Sequence, residues 1–234
     1  MIQILMPMAG DGTRFNNGFK PFIEIKGIPL YKWALKSLGE IKDFSLTFII
    51  KESDDMKYLV SQKLIESHPE ASIRILKHKT LGALDTCLQS IDELNLDKPL
   101  IILDCDLFFD SKTFNTVLQE KWQNFKSGLL YFNSKEPCYS YCQIENGRVV
   151  QTKEKEVISS NAIAGAYCFS KAQLLKDCGQ TIITNKMTTK GEYYISPIFN
   201  HLIKKGEEVT SYFCNEYYSL GTPKEVARNS EYLK

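Results

Sequence analysis

The chain has 234 residues, of which 43% are hydrophobic, 12% aromatic and 24% charged. At about 100–200 residues per domain that is one large domain, and an apolar fraction this high excludes a disordered or fibrous chain. Lys plus Arg is 29 against 28 for Asp plus Glu, a formal net charge of +1. No strong field favours a nucleic-acid backbone or an anionic membrane surface, so neither is expected as a partner.

The opening MIQILMPMAG is apolar but short and carries no basic leader, so Ile2–Met6 reads as a first strand rather than a signal peptide. Pro29–Leu38 has helical spacing, with Pro at its start and Gly39 as a stop. Leu46–Ile50 reads as a buried strand, Asp54–Ser67 as a helix, Ser72–Leu76 as a strand, Gly82–Glu93 as a helix and Pro99–Leu103 as a fourth strand. This alternation predicts a largely parallel sheet with right-handed crossovers. The second half changes character. Gly128–Phe132 is a predicted strand, Gln143–Gln151 a hairpin around Asn146-Gly147, and Ala162–Phe169 and Val209–Phe213 are further strands. Helices are predicted at Lys171–Cys178, Ser196–Lys205 and Pro223–Tyr232. No linker or internal repeat interrupts the chain, so one α/β domain spanning 1–234 is expected.

Nowhere is there a run of about 20 apolar residues, so no membrane span is predicted. Seven cysteines without repeated Cys-x-x-Cys spacing read as reduced thiols of a cytoplasmic protein. Cys138 and Cys142 have no His nearby to suggest zinc. His68, His78 and His201 lie apart, and Trp33 and Trp122 read as packing residues.

In an open α/β sheet, ligands gather beyond the carboxyl ends of the strands. Directly after the first strand stands Ala9-Gly10-Asp11-Gly12-Thr13-Arg14. Gly10 and Gly12 allow backbone N–H groups to approach an anion closely, and Arg14 adds a fork of donors suited to phosphate. It is neither the dinucleotide-binding Gly-x-Gly-x-x-Gly nor a P-loop, and taken alone it also fits a plain strand-to-helix turn. Lys20-Pro21 follows, then an apolar stretch, then Gly27-Ile28-Pro29 before a helix. At the end of the fourth strand, Asp104 and Asp106 are two residues apart, so both carboxylates face the same side.

This ordered set resembles the amino-terminal signature of the sugar-1-phosphate nucleotidyltransferases, the nucleotide-sugar pyrophosphorylase family. Its beginning, Pro7-Met8-Ala9-Gly10, looks like a branch associated with capsule and surface polysaccharide. Downstream, Thr80-Leu81-Gly82-Ala83 is similar to the family's base-contacting segment and Asp106 to its metal-binding aspartate. Glu154-Lys155 and Gly165-Ala166-Tyr167 are similar to elements that hold the phosphorylated substrate. Gly191-Glu192-Tyr193-Tyr194 and Gly221-Thr222-Pro223 complete the order.

The resemblance implies a three-layer nucleotide-diphospho-sugar transferase (GT-A-like) fold with a mostly parallel mixed sheet. Residues 1–110 would form a nucleotide-binding half and 111–234 an acceptor-binding half. It implies that Arg14 and Lys20 act in catalysis, while Met8, Ala9, Gly10, Gly12, Thr13, Lys77 and Gly82 bind the nucleotide. Glu154, Lys155, Gly165, Glu192 and Tyr194 would bind the acceptor, with Tyr193 or Tyr194 equally able to be core. Mg²⁺ would sit on Asp106, with Asp104 as a further candidate. Where relatives carry a second metal-binding aspartate this chain has Ser219, a poor exchange for a carboxylate at Mg²⁺. The substrates implied are a nucleoside triphosphate and a small phosphorylated acceptor. Two other readings stand beside this one. The first is a GT-A-type glycosyltransferase using a nucleotide-sugar through Asp104-Cys105-Asp106. The second is a non-catalytic member of the family weakened at Ser219.

Overall fold

Along the first strand, β1 (Ile2–Pro7), successive side chains enter different cores: Ile2, Ile4 and Met6 join one cluster and Leu5 the other. A strand buried on both faces must lie inside a sheet covered on both sides, and that is the architecture of this chain. The computed structural model describes residues 1–12, 14–15, 18–39, 41–119 and 125–233. Trp122 and Thr13 lie outside the described residues.

After β1 come a 3-10 turn at Lys20–Phe22 and a short hairpin of β2 (Glu24–Ile25) and β3 (Ile28–Pro29). Next are α1 (Leu30–Lys36), β4 (Phe44–Lys51), α2 (Glu52–Tyr58), α3 (Val60–Ser67) and β5 (Ser72–Leu76). The chain continues through α4 (Ala83–Leu88), β6 (Leu100–Leu103), β7 (Leu107–Asp110), α5 (Lys112–Gln119) and β8 (Gly128–Asn133). A hairpin of β9 (Tyr141–Glu145) and β10 (Arg148–Lys153) leads to β11 (Asn161–Phe169) and α6 (Ala172–Thr184). Last are α7 (Pro197–Lys204), β12 (Thr210–Phe213), β13 (Glu216–Ser219) and α8 (Pro223–Asn229).

Nine strands form one mixed sheet in the order β5-β4-β1-β6-β11-β8-β12-β10-β9. Pairing is parallel from β5 through β6 and between β8 and β12, and antiparallel elsewhere. The mixed three-layer expectation is met, with the parallel part gathered in the first half. On one face α1, α3 and α5 contribute Tyr31, Ala34, Leu64 and Phe114 to the first core. On the other, α4, α6 and α7 contribute Leu84, Leu175, Ile182 and Phe199 to the second. No described helix is long and apolar enough to cross a membrane.

Three details depart from the expected elements. The single helix expected over Asp54–Ser67 is broken at Leu59, which takes a left-handed backbone (φ +53°). The Asp55 carboxylate explains the break, because it accepts the Ser61 N–H at 2.7 Å and so starts a new helix. The expected Gly82–Glu93 helix stops at Leu88 and resumes only as a 3-10 turn at Ile91–Glu93. Finally, β7 and β13 pair antiparallel as a separate ribbon that was not expected, with Ser219 opposite Leu107. Four-residue strands in distant parts of the chain carry too little periodic signal to be paired from sequence.

Candidate active site

A cavity of about 670 Å³ opens at the carboxyl ends of β1, β4 and β6. Its lining comes from both halves: the Met8–Gly12 loop, Lys20, α2, the 79–86 segment, Asp104–Asp106, Glu192 and Tyr194.

The loop after β1 leaves the sheet in register, with the Met8 N–H bonded to the Ile49 carbonyl at 2.7 Å. It turns at Gly12, whose φ of +59° favours glycine. Asp11 anchors it through Lys51 at 3.0 Å and Lys79 at 2.7 Å. Those two ammonium groups hold the Asp11 carboxyl below its ordinary range, Lys79 contributing most.

Lys20 opens the 3-10 turn ahead of buried Pro21 and forms an ion pair with Asp106. Burial works against its charge, but the neighbouring carboxylate outweighs it and the ammonium pKa is raised. Asp106 stands between β6 and β7, and its carbonyl accepts the Leu220 N–H at 2.8 Å, which ties the β13 ribbon to the cavity floor. Asp104 lies beside it. Burial, and then the Asp106 charge, push its carboxyl up to about 8. Gly165 on β11 faces Asp104 directly: its carbonyl accepts the Asp104 N–H at 2.9 Å, and a Cβ there would stand 2.6 Å from Asp104 Oδ2.

On the opposite side Glu192 and Tyr194, in the segment before α7, line the cavity, with the end of the β9–β10 hairpin packed behind them. Asn200 clamps β10 by accepting the Thr152 N–H at 2.8 Å and donating to the Thr152 carbonyl at 2.9 Å. Two residues on, Glu154 accepts hydroxyl hydrogen bonds from Ser140 and from Ser196 (2.7 Å for the latter). Burial raises the Glu154 pKa against the pull of those two bonds. Lys155 has a left-handed backbone and brings its ammonium to the Tyr194 hydroxyl, 4.3 Å from the ring centroid. Tyr194 donates in turn to Glu192 at 2.6 Å. Burial first, then the Glu192 charge, push the Tyr194 phenol up.

The two walls are strapped together at Gly82 (φ +119°), where a Cβ would fall 2.5 Å from the Tyr193 carbonyl oxygen. The Tyr193 N–H bonds to the Leu81 carbonyl at 2.6 Å, and the Leu84 N–H to the Tyr193 carbonyl at 3.0 Å. Tyr193 is therefore core and Tyr194 faces the cavity, which settles the alternative that the sequence left open.

Of the expected site residues, Met8, Ala9, Gly10, Gly12, Lys20, Gly82, Asp104, Asp106, Glu192 and Tyr194 line the cavity together. Lys155 joins them through Tyr194 and Glu154 stands behind it, while Gly165 backs Asp104. Arg14 is exposed and not among the lining side chains, though its charge acts on both Lys20 and Tyr194. Lys77 does not line the cavity. Lys79, two residues further on, does. Sequence reasoning also passed over Thr86 and the α2 residues Asp54, Lys57 and Tyr58. Nothing in their local pattern marks them, because their place depends on how far β4 and β5 run before turning. Among the described residues no three His, Cys, Asp or Glu side chains form a metal-ligand cluster.

No protein-family model matches the chain, and no curated protein matches it by sequence. Solved structures do. A nucleoside-diphosphate-sugar pyrophosphorylase from Vibrio cholerae RC9 is 22% identical, with a TM-score of 0.82 over 99% of this chain and 100% of that one. A Bacillus anthracis protein, provisionally assigned as a glucose-1-phosphate thymidylyltransferase and solved with sucrose, is 17% identical. Its TM-score is 0.80 over 100% of this chain and 95% of that one. The inositol-1-phosphate CTP transferase from T. maritima is 14% identical, with a TM-score of 0.74 over 99% and 94% of the two chains. At these identities the likeness is one of fold: from end to end, this chain has the mixed α/β fold of nucleotide-sugar pyrophosphorylases and related nucleotidyltransferases.

Proposed function

We propose that the chain is a nucleotidyltransferase that joins a nucleoside triphosphate to a sugar phosphate or another small phosphorylated alcohol and releases pyrophosphate. We further propose that it works in the cytoplasm, with residues 1–110 serving the nucleotide and 111–234 the acceptor, and that its product is an activated precursor of surface polysaccharide. The Pro7-Met8-Ala9-Gly10 opening supports the last point. The observation that carries the reading is Lys20 paired with Asp106 on the floor of a cavity bounded by a glycine loop on one side and by Tyr194, with Lys155 behind it, on the other.

In this reaction an oxygen of the acceptor phosphate attacks the α-phosphorus of the triphosphate. The bond from that phosphorus to the bridging oxygen breaks, and pyrophosphate leaves with the electron pair. The nucleophile is already an anion, so no general base is needed. The barrier lies in bringing several anions together in line, which calls for positioning and positive charge. Backbone N–H groups of the Gly10–Gly12 loop would receive phosphate oxygens. Lys20 would exchange Asp106 for the charge building on the leaving pyrophosphate, with Arg14 adding positive potential from outside the lining. Lys155, already ordered by Tyr194, would draw in the acceptor phosphate.

The residues present fit a magnesium ion at Asp106. Gly221 keeps the space beside that carboxylate open, since a Cβ there would stand 3.0 Å from Asp106 Oδ2. A hard carboxylate with phosphate and water as remaining ligands suits Mg²⁺, which is commonly held by one or two carboxylates. When bound, the ion would offset negative charge on the triphosphate.

The test is a matrix of each nucleoside triphosphate against sugar phosphates and small alcohol phosphates, with Mg²⁺, reading pyrophosphate release. We expect release with at least one pair and its loss in Lys20→Ala. Silence across the matrix, with a nucleotide-sugar raising the melting temperature more than any triphosphate, would favour the glycosyltransferase reading and sink this one.

A further inference from the structure

We infer that Glu225 supplies the second carboxylate for the cation at Asp106, in the role that Ser219 cannot fill. The inference rests on the nucleotidyltransferase reading above and concerns this chain's own departure from a two-carboxylate site. Three oxygens converge on the space above Gly221. A Cβ at that residue would stand 3.0 Å from Asp106 Oδ2, 3.4 Å from Glu225 Oε2 and 3.8 Å from Ser219 Oγ. Two carboxylate oxygens thus face one cradle that is kept free of side chain, and a neutral hydroxyl stands beside them.

The arrangement is fixed from both ends. The β7–β13 ribbon sets Ser219 opposite Leu107, and the Leu220 N–H bonds to the Asp106 carbonyl at 2.8 Å. Asn229 on α8 donates to the Ser219 carbonyl at 2.8 Å, so the helix and the loop hold each other. Thr222 caps α8 by accepting the Glu225 N–H at 3.2 Å, and its hydroxyl donates to Glu225 Oε2 at 2.8 Å. That single donor leaves the other acceptor positions of the carboxylate unspent. The Tyr139 phenol lies close enough to both Ser219 and Glu225 for each to act on it.

A helix-capping glutamate needs none of this, because a cap is complete without a second carboxylate opposite it. Lys20 pairs with Asp106 Oδ2 in this structure; a divalent cation in the cradle, with Lys20 turned to the triphosphate, would account for Glu225 facing that carboxylate, whether directly or through water.

The test is Mn²⁺ binding followed by electron paramagnetic resonance, with inorganic pyrophosphate as the phosphate probe, on the full chain. The variants are Glu225→Gln, Asp106→Asn, Ser219→Asp and the Glu225→Gln/Ser219→Asp pair. Glutamine keeps a side-chain acceptor for Thr222, and melting curves report whether each variant folds. We expect Glu225→Gln to weaken Mn²⁺ affinity by about 10–100-fold and the added Ser219→Asp to restore most of it. If Asp106→Asn loses the ion while Glu225→Gln keeps it within about twofold, this inference is overturned and the nucleotidyltransferase reading stands. Loss in Glu225→Gln that Ser219→Asp does not rescue marks a structural cap only and overturns it as well. If neither Glu225→Gln nor Asp106→Asn alters Mn²⁺ binding, the metal site and the reading beneath it both fall.

Discussion

The two walls of the cavity hold their cations in different ways. On the glycine-loop side Lys20 meets a full carboxylate, Asp106, within a floor that also carries Asp104. On the opposite side Lys155 meets a neutral phenol, Tyr194, and the carboxylate Glu192 stands one hydrogen bond further away. The first ammonium is neutralised until a stronger anion arrives. The second is oriented but keeps most of its charge on offer. On the proposed reading, the first wall would exchange partners with an incoming triphosphate and the second would attract the acceptor phosphate.

Substitutions can break that contrast. Lys20→Ala should lower kcat/KM by about 10²–10³-fold, the loss typical of removing a donor aimed at developing charge. Lys155→Ala should act mainly on acceptor KM, by about 10–100-fold, and leave triphosphate binding within about twofold. Steady-state kinetics with each substrate varied in turn reads both, and equal effects on the two substrates would erase the distinction between the walls.

Two glycines sharpen the comparison by stability rather than rate. Gly165→Ala would force a methyl to within 2.6 Å of Asp104 Oδ2 and 2.8 Å of Leu107 Cδ2, at a φ of +69°. It should cost about 1–3 kcal/mol. Gly10 has nothing within 4 Å of a built Cβ, so Gly10→Ala should leave stability within about 0.5 kcal/mol. Denaturant titration measures both. A Gly10→Ala protein that unfolds as readily as Gly165→Ala would show that the loop is packed rather than open.

The smallest effects concern pH, and the walls should respond with opposite sign. Glu154 has its folded pKa raised above the ordinary 4.5, chiefly by burial. Its contribution is full below that value and is lost as pH rises through the higher folded value. Asp11 has its folded pKa lowered below the ordinary 3.8 by Lys79 and Lys51. Its contribution is present above 3.8 and is lost as pH falls through the lower folded value. With its side chain 45% exposed, Asp11 is screened and its share stays small. Melting curves from about pH 3 to 8 should show Glu154→Gln gaining on the parent as pH rises. Asp11→Asn should lose least at the acid end. Parallel curves for parent and Glu154→Gln would remove the first claim.

How much of this was legible beforehand follows from the range of the forces involved. β1, β4 and β6 announce themselves because a strand buried on both faces is a run of apolar residues. The Asn146-Gly147 hairpin is equally plain, since both residues take the positive φ that its turn requires. Lys20 and Asp106 were each singled out through the resemblance of their segments to a known signature, while their ion pair is a finding of the structure. Lys77 was chosen over Lys79 because nothing local says where β5 stops and its chain turns across the cavity. The break at Leu59 was hidden because Asp55 caps a helix six residues ahead, within a stretch whose apolar spacing stays helical throughout.

The amino-acid sequence by itself determined the layered α/β architecture, the glycine loop after the first strand and the order of the charged groups, because periodicity and turn chemistry act over a few residues. Only the tertiary structure decided which of those groups meet. The β7–β13 ribbon is made of two four-residue strands more than a hundred positions apart, and together with α8 it brings Ser219, Gly221 and Glu225 to Asp106. Such a pairing is selected by side chains that meet only on folding: Leu107 and Phe109 enter the first core, while Phe108 stacks on Tyr218 beside Trp33 and Leu220.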